Sequence, residues 1–143
     1  AADQAIKLTV ASRFLLGESL ALIPGYLSIT YIQNRGAVFG FLASHPSGFI
    51  PIFFIAVTLG ALVFVFFLYR YSPSTHAYGR HALMLIFGGG LGNLVDRLAY
   101  GEVIDFIDVY YGSYHWPAFN LADSCISAGV ALLALDLLRS PRG

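Results

Sequence analysis

Charge is what this sequence has least of. Only 11% of its 143 residues are charged and 57% are hydrophobic, whereas a soluble domain carries about 25% charged residues. So few charges cannot cover a soluble fold of this length, and the chain is expected in a bilayer as a single domain. Basic and acidic residues balance at eight each. With no cationic excess there is no polyelectrolyte signal, which argues against nucleic acid as a partner. The one cysteine, Cys125, excludes an internal disulfide framework and offers no ligand spacing. The histidines, at 45, 76, 81 and 115, lack His-Glu-x-x-His spacing, so no metal site is expected. No Gly-x-Ser-x-Gly elbow occurs either. The N-terminus lacks the basic patch, apolar run and small-residue cleavage site of a secretory signal, and insertion is expected from the spans themselves.

What is present is long apolar runs. Residues 49–69 carry no charge over 21 positions, enough at about 1.5 Å per residue to cross a hydrocarbon core of about 30 Å. Pro51 falls in the first turn, where a missing N–H costs least. Residues 81–100 read as a second span, with Gly88 and Gly92 forming a small-xxx-small face for close helix approach. Residues 118–138 read as a third. Residues 1–24 contain Asp3, Lys7, Arg13 and Glu18, which break any long apolar run. They read as the end of a helix, its last turn at 1–7, then an interfacial stretch with Leu15, Leu16, Leu20 and Leu22 toward lipid. Pro24-Gly25 signals a turn, and β-branched and aromatic residues at 27–33 predict a strand. A further turn at 34–36 precedes 37–42, and 45–48 reads as loop. Residues 101–117 read as loop and possible strand, their crowded Tyr110, Tyr111, Tyr114 and Trp116 expected at headgroup level. Arg70, Arg80, Arg139 and Arg142 flank the spans on the side expected to be cytoplasmic, which turns 8–48 and 101–117 outward.

Against this background the polar residues at 92–123 stand out, because ionisable groups in an apolar setting mark functional sites. Asn120, Asp123, Ser124 and Ser127 share one helical stripe, and Asn93 and Arg97 share another. Both lie at the outer ends of their spans, with Asp105 in the connection between them. Two carboxylates sharing one water supply aspartic peptidase chemistry, one taking a proton while the other donates one. Spacing alone leaves Asp96, Asp105, Asp108 and Asp123 as candidates. Asp96 is equally a helix-end ion pair with Arg97. Asp108 reads as a solvated charge, pointing away from Asp105 if 103–109 is extended. Ser124 or Ser127 with Lys7 as base is a second enzymatic reading. A small transporter or proton pathway is the non-enzymatic one, and it expects ionisable groups spread through the membrane depth.

Asp3-Gln4 with Lys7, Asn34-Arg35-Gly36-Ala37 with Phe39, Gly92-Asn93-Leu94 with Asp96-Arg97, Val103-Ile104-Asp105-Phe106, and Phe119-Asn120-Leu121-Ala122-Asp123 occur in that order. In these blocks the chain resembles the bacterial lipoprotein signal peptidases, the signal peptidase II family of membrane aspartic peptidases. The resemblance implies Asp105 and Asp123 as the catalytic pair. It implies Asn93, Arg97 and Asn120 as supporting groups, and Asp3, Lys7, Asn34 and Gly36 as the surrounding shell. It further implies a mostly α transmembrane bundle of four helices, the first lost or truncated here, with a small extracytoplasmic β-cradle formed by 27–33 and 101–118. The implied substrate is a diacylglyceryl-modified prolipoprotein, cut on the N-terminal side of its lipidated cysteine. The enzyme is expected to act as a monomer in the bacterial inner membrane, its site at the extracytoplasmic face, with membrane lipid as partner and no metal or cofactor. Phe39, Phe41 and the aromatic cluster at 110–116 are expected to cover the bound peptide.

Overall fold

The computed structural model describes residues 1–36, 49–72 and 77–139. The elements run α1 (Ala2–Arg13), β1 (Ser19–Ile23), β2 (Leu27–Asn34), α2 (Phe49–Tyr71), α3 (Ala77–Tyr100), β3 (Val103–Tyr111), β4 (Tyr114–His115) and α4 (Leu121–Arg139). Three helices, Phe49–Tyr71, Tyr78–Tyr100 and Leu121–Arg139, are long and apolar enough to cross a membrane. The four strands form an antiparallel sheet in the order β1-β2-β3-β4.

The first helix continues to Arg13, beyond the turn expected at 1–7. Asp3 in its first turn and Arg13 in its last complement the helix dipole. Its buried positions are Asp3, Lys7 and Val10, one face at intervals of four and three. The chain leaves the helix at Phe14, in extended conformation, and turns at Gly17, whose φ of 83° suits a residue without a Cβ.

Residues 19–23, expected as an interfacial stretch, are instead strand β1 paired with β2. All five are exposed, so no inward-outward alternation marks them in the sequence. Leu20 and Leu22 do remain on the surface. Strand β2 lies where predicted, and Gly25, with φ of 87°, makes the turn ahead of it. Residues 101–117 hold more strand than loop, because β3 sits between β2 and β4 with partners on both edges.

The span expected at 118–138 begins at Leu121, since Phe119 belongs to the sheet: it forms a bridge with Ile107. Its carbonyl accepts from the N–H groups of Phe106 and Ile107 at 3.1 and 2.8 Å, and its own N–H donates to Ile107 O at 3.1 Å. The start of α4 is thereby sewn by main chain to the middle of β3.

Helices α3 and α4 touch through glycines. A Cβ on Gly89 would collide with the Ala122 carbonyl, and one on Gly129 would come within 2.7 Å of Ala82 O. Gly92 faces Ala122 and Asp3, whereas Gly88 faces open space. The close approach therefore runs through Gly89 and Gly92 rather than the 88/92 pair.

The interior inverts the usual order. The largest fully buried side chains are Lys7, Asn120, Asp96 and Asp105, while α2 exposes Phe64, Phe66 and Phe67. Apolar surface facing outward and charge facing inward is the arrangement lipid demands.

Candidate active site

The site is built where β3, the N-terminus of α4, the last turns of α3 and the first turns of α1 converge. Asn120 is the residue before α4, and its Oδ1 accepts the N–H of Asp123 at 2.9 Å. The Asp123 carboxylate answers with Oδ2, which accepts the Asn120 N–H at 3.3 Å. This reciprocal capping box holds Asp123 at the third position of the helix.

Asp105 is 2% exposed on β3. Its Oδ1 accepts from Asn120 Nδ2 at 2.8 Å and its Oδ2 from Asn34 Nδ2 at 3.1 Å. Asn34 reaches it because the register pairs Asn34 with Val103, which puts Asp105 diagonally across the same face. Asp123 Oδ1 accepts from Asn93 Nδ2 at 2.7 Å. Asn120 thus contacts both carboxyl groups, one through its side chain and the other through its backbone. Burial raises the Asp105 pKa to about 6, with the Asp123 charge adding to the rise while the Asn34 and Asn120 hydrogen bonds oppose it.

Three carboxamides aim their nitrogen ends at the two acids, and each is held by its oxygen end. Asn34 Oδ1 accepts the Gly36 N–H at 2.8 Å, Asn120 Oδ1 accepts the Asp123 N–H, and Asn93 Oδ1 accepts from Lys7 Nζ at 3.0 Å. Donors that cannot be acceptors fix which way round an amide sits. Gly36 has φ of 80°, and a Cβ there would overlap the Phe54 ring.

Beneath the acids lies a buried ionic cluster. Lys7 Nζ is 2.8 Å from Asp3 Oδ2 and 2.7 Å from Asp96 Oδ2. Asp3 Oδ1 accepts the Ala122 N–H of α4 at 2.9 Å, and Asp96 Oδ2 accepts the Ile104 N–H of β3 at 3.1 Å. Gln4 Nε2 donates to Asp96 Oδ1 at 2.7 Å and to Gly92 O at 3.0 Å. One ammonium thereby ties the ends of α1, α3, α4 and β3 together. Gly92 makes room, because a Cβ there would sit 3.1 Å from Asp3 Oδ2.

Asp96 pairs with Lys7, not with its neighbour Arg97. Residues 96 and 97 project about 100° apart on a helix, and only Asp96 faces α1. Arg97 Nη1 lies 3.4 Å from Asn93 O, and its guanidinium stands 5.6 Å from the Phe54 ring centroid. Among the described residues it makes no ion pair. Sequence reasoning quoted Gln4 only within a motif block and left Asp96 among four open aspartates, giving neither a place beside Lys7. The spacing Asn93–Asp96–Arg97, at i, i+3 and i+4, was the available signal for Asp96.

Other candidates lie elsewhere. Asp108 faces away from Asp105 and meets His115 Nδ1 at 2.9 Å, so it is a side-chain hydrogen-bond partner rather than a free solvated charge. Ser127 is exposed, and Ser124 Oγ donates to Asn120 O at 3.0 Å. Lys7 is enclosed by Asp3, Asp96 and Asn93, which gives the serine and lysine reading no nucleophile–base contact. Tyr110, Tyr114 and Trp116 gather at the far end of β3, Trp116 N–H donating to Val109 O. At about 3.3 Å per residue the Val109 backbone stands roughly 13 Å along the strand from Asp105. Phe39 and Phe41, with the rest of 37–48, lie outside the described residues.

The family model described as signal peptidase (SPase) II matches residues 1–139. The lipoprotein signal peptidase of Syntrophus aciditrophicus is 49% identical over 140 residues, covering 98% of this chain and 87% of that protein. The lipoprotein signal peptidase of Geobacter sulfurreducens is 50% identical over 140 residues, covering 98% and 86%. Among solved structures, a bacterial membrane enzyme determined at 1.9 Å superposes with a TM-score of 0.85 at 35% identity, over 96% of this chain and 86% of that one. A second, at 2.3 Å, gives 0.83 at 34% identity over 99% and 86%.

Proposed function

This chain belongs to the signal peptidase II family, an integral-membrane peptidase that removes signal peptides from prolipoproteins, and from that premise we propose that it does so with Asp105 and Asp123 as an aspartic dyad. The observation that carries the reading is that one residue, Asn120, contacts both carboxyl groups, Asp105 through Nδ2 and Asp123 through its N–H. A site for one water between two acids needs such a common support.

The proposed cycle follows from the environments. Asp105, its pKa raised to about 6 by burial, holds the proton. Asp123 takes a proton from the water as the oxygen attacks the scissile carbonyl, and Asp105 gives its proton to the carbonyl oxygen. On collapse of the tetrahedral diol, Asp123 passes its proton to the departing nitrogen and a diol hydroxyl returns one to Asp105. Protons balance and no covalent enzyme intermediate forms. Asn34, Asn93 and Asn120 hold the acids in place, and Arg97, which makes no ion pair among the described residues, remains available to the substrate backbone.

We further assign the substrate as the diacylglyceryl-modified precursor, cut before the lipidated cysteine, and the location as the inner membrane with the dyad at its extracytoplasmic face. Support comes from the site standing at one end of the apolar helices, where a signal helix lies in lipid and its cleavage point reaches headgroup depth. The transporter reading finds no continuous route, since α2 carries no charge before Arg70. The test is incubation of a lipidated precursor with wild type, Asp105→Asn and Asp123→Asn in lipid. Either change should abolish processing with the protein still folded, and retained cleavage by either variant would rule out the dyad.

A further inference from the structure

Among the three carboxamides that face the dyad, two are oriented by main-chain donors. Asn34 is held by the Gly36 N–H and Asn120 by the Asp123 N–H, and no side-chain replacement removes those. Asn93 is different. Its Oδ1 takes an ammonium hydrogen from Lys7 at 3.0 Å and a second hydrogen bond from Asn120 Nδ2 at 3.1 Å. Asn120 Nδ2 has only two hydrogens and also faces Asp105 Oδ1 at 2.8 Å and Ile104 O at 3.3 Å. It is overcommitted, so Lys7 is the donor that decides the orientation of Asn93.

That orientation matters to one acid only. With Oδ1 turned to Lys7, Nδ2 must point to Asp123 Oδ1, where it sits at 2.7 Å. Were the amide reversed, an oxygen would face the Asp123 carboxylate and the Asn93 NH₂ would face the Lys7 ammonium, unfavourable at both ends. The lysine itself cannot turn away. It is 1% exposed, and Asp3 at 2.8 Å and Asp96 at 2.7 Å fix its nitrogen from two other sides.

We propose that Lys7 is a positioning residue for the peptidase reaction: through the Asn93 carboxamide it presents a hydrogen-bond donor to Asp123 and so sets that acid for its work. Lys7 touches neither acid of the dyad in the hydrogen-bond network. Asp3 and Asp96 serve this role in turn, as the two carboxylates that hold the ammonium in place, and Gln4 steadies Asp96 from its other oxygen.

The proposal rests on the aspartic reading above, and the test keeps the two separable. Lys7→Met alone leaves two buried carboxylates without a counter-ion, so the variant of choice is Lys7→Met with Asp3→Asn, which conserves the formal charge of the cluster at minus one. Its kcat and KM for a lipidated precursor are measured beside wild type, Asn93→Ala and the combination of all three changes. The expected result is a fall in kcat of about 30-fold or more with KM within about twofold. In the Asn93→Ala background the same pair of changes should alter kcat by less than about threefold, because Asn93 is the route by which Lys7 acts. An equal fall in both backgrounds, or a change in KM alone, overturns the proposal while leaving the dyad intact, provided Asp105→Asn is inactive. Should the Lys7 variant not fold, Asn93→Asp with Lys7 retained gives the answer. A carboxylate opposite Asp123 should reduce kcat at least as far, and wild-type kcat in that variant would overturn the proposal equally.

Discussion

At the scale of single residues, the site is a set of amides whose directions are dictated by donors behind them. Asp105 was legible as a carboxylate in an apolar chain, but four aspartates stood open on spacing alone, and their ranking came from the motif resemblance. What the sequence could not convey was contact across the fold: Asp96 meets Lys7 from 89 positions further along the chain, and nothing in the local string says so. Gln4 stood in a quoted motif block, but its bonds to Asp96 and Gly92 were equally unreadable. Asp105 also makes a pH prediction. On the proposed mechanism Asp105 donates a proton, and because a carboxyl group ordinarily loses its proton well below neutrality, the rise to about 6 widens the window in which it could do so. The kcat/KM of wild type for a lipidated precursor should fall as pH climbs through about 6, and the free-enzyme profile should show that limb. Gly36→Ala should lower activity and stability together, by about 1 to 3 kcal/mol in stability, since φ of 80° and the Phe54 ring both oppose a Cβ. Thermal unfolding in detergent with a cleavage assay on the same preparation checks this.

At the scale of elements, helix type and count followed from hydropathy, because lipid makes long apolar runs unambiguous. Strand β2 was readable from its β-branched residues. Strand β1 was not, since a strand exposed at every position has no periodicity to read, and the start of α4 was misplaced because Phe119 serves the sheet. The clamp between α3 and β3 is the Asp96 carboxylate on the Ile104 N–H, one residue before Asp105. Asp96→Asn keeps the shape but removes a charge beside Lys7. It should destabilise the protein by about 1 to 3 kcal/mol, the range for weakening hydrogen bonds to a charged group while Asp3 still pairs Lys7, with denaturant or thermal unfolding as the measurement. Gly89→Leu should separate α3 from α4 at the Ala122 carbonyl, and loss of folded protein on size-exclusion chromatography is the expected outcome.

At the scale of the whole molecule, the chain joins an apolar exterior to a charged interior, and a sheet at one end of the bundle exposes Tyr26, Tyr111, Tyr114 and Trp116. That belt suits the headgroup layer, where rings with a polar edge settle. Trp116, the only tryptophan, reports on it directly: its emission should shift to the blue when the protein passes from detergent into vesicles. Lipids carrying a quencher near the headgroup should dim it more than lipids quenched at the chain ends.

The bridge from Ile107 to Phe119 bears on how freely this family of sequences can drift. The main-chain bonds at position 119 tie the start of α4 to β3, and with it Asp123 to Asp105, and any residue able to adopt extended backbone can make them. Proline is the exception, for it would erase the N–H given to Ile107 O and let the helix start slide away from the sheet. Phe119→Leu should process substrate at near the native rate, and Phe119→Pro should not.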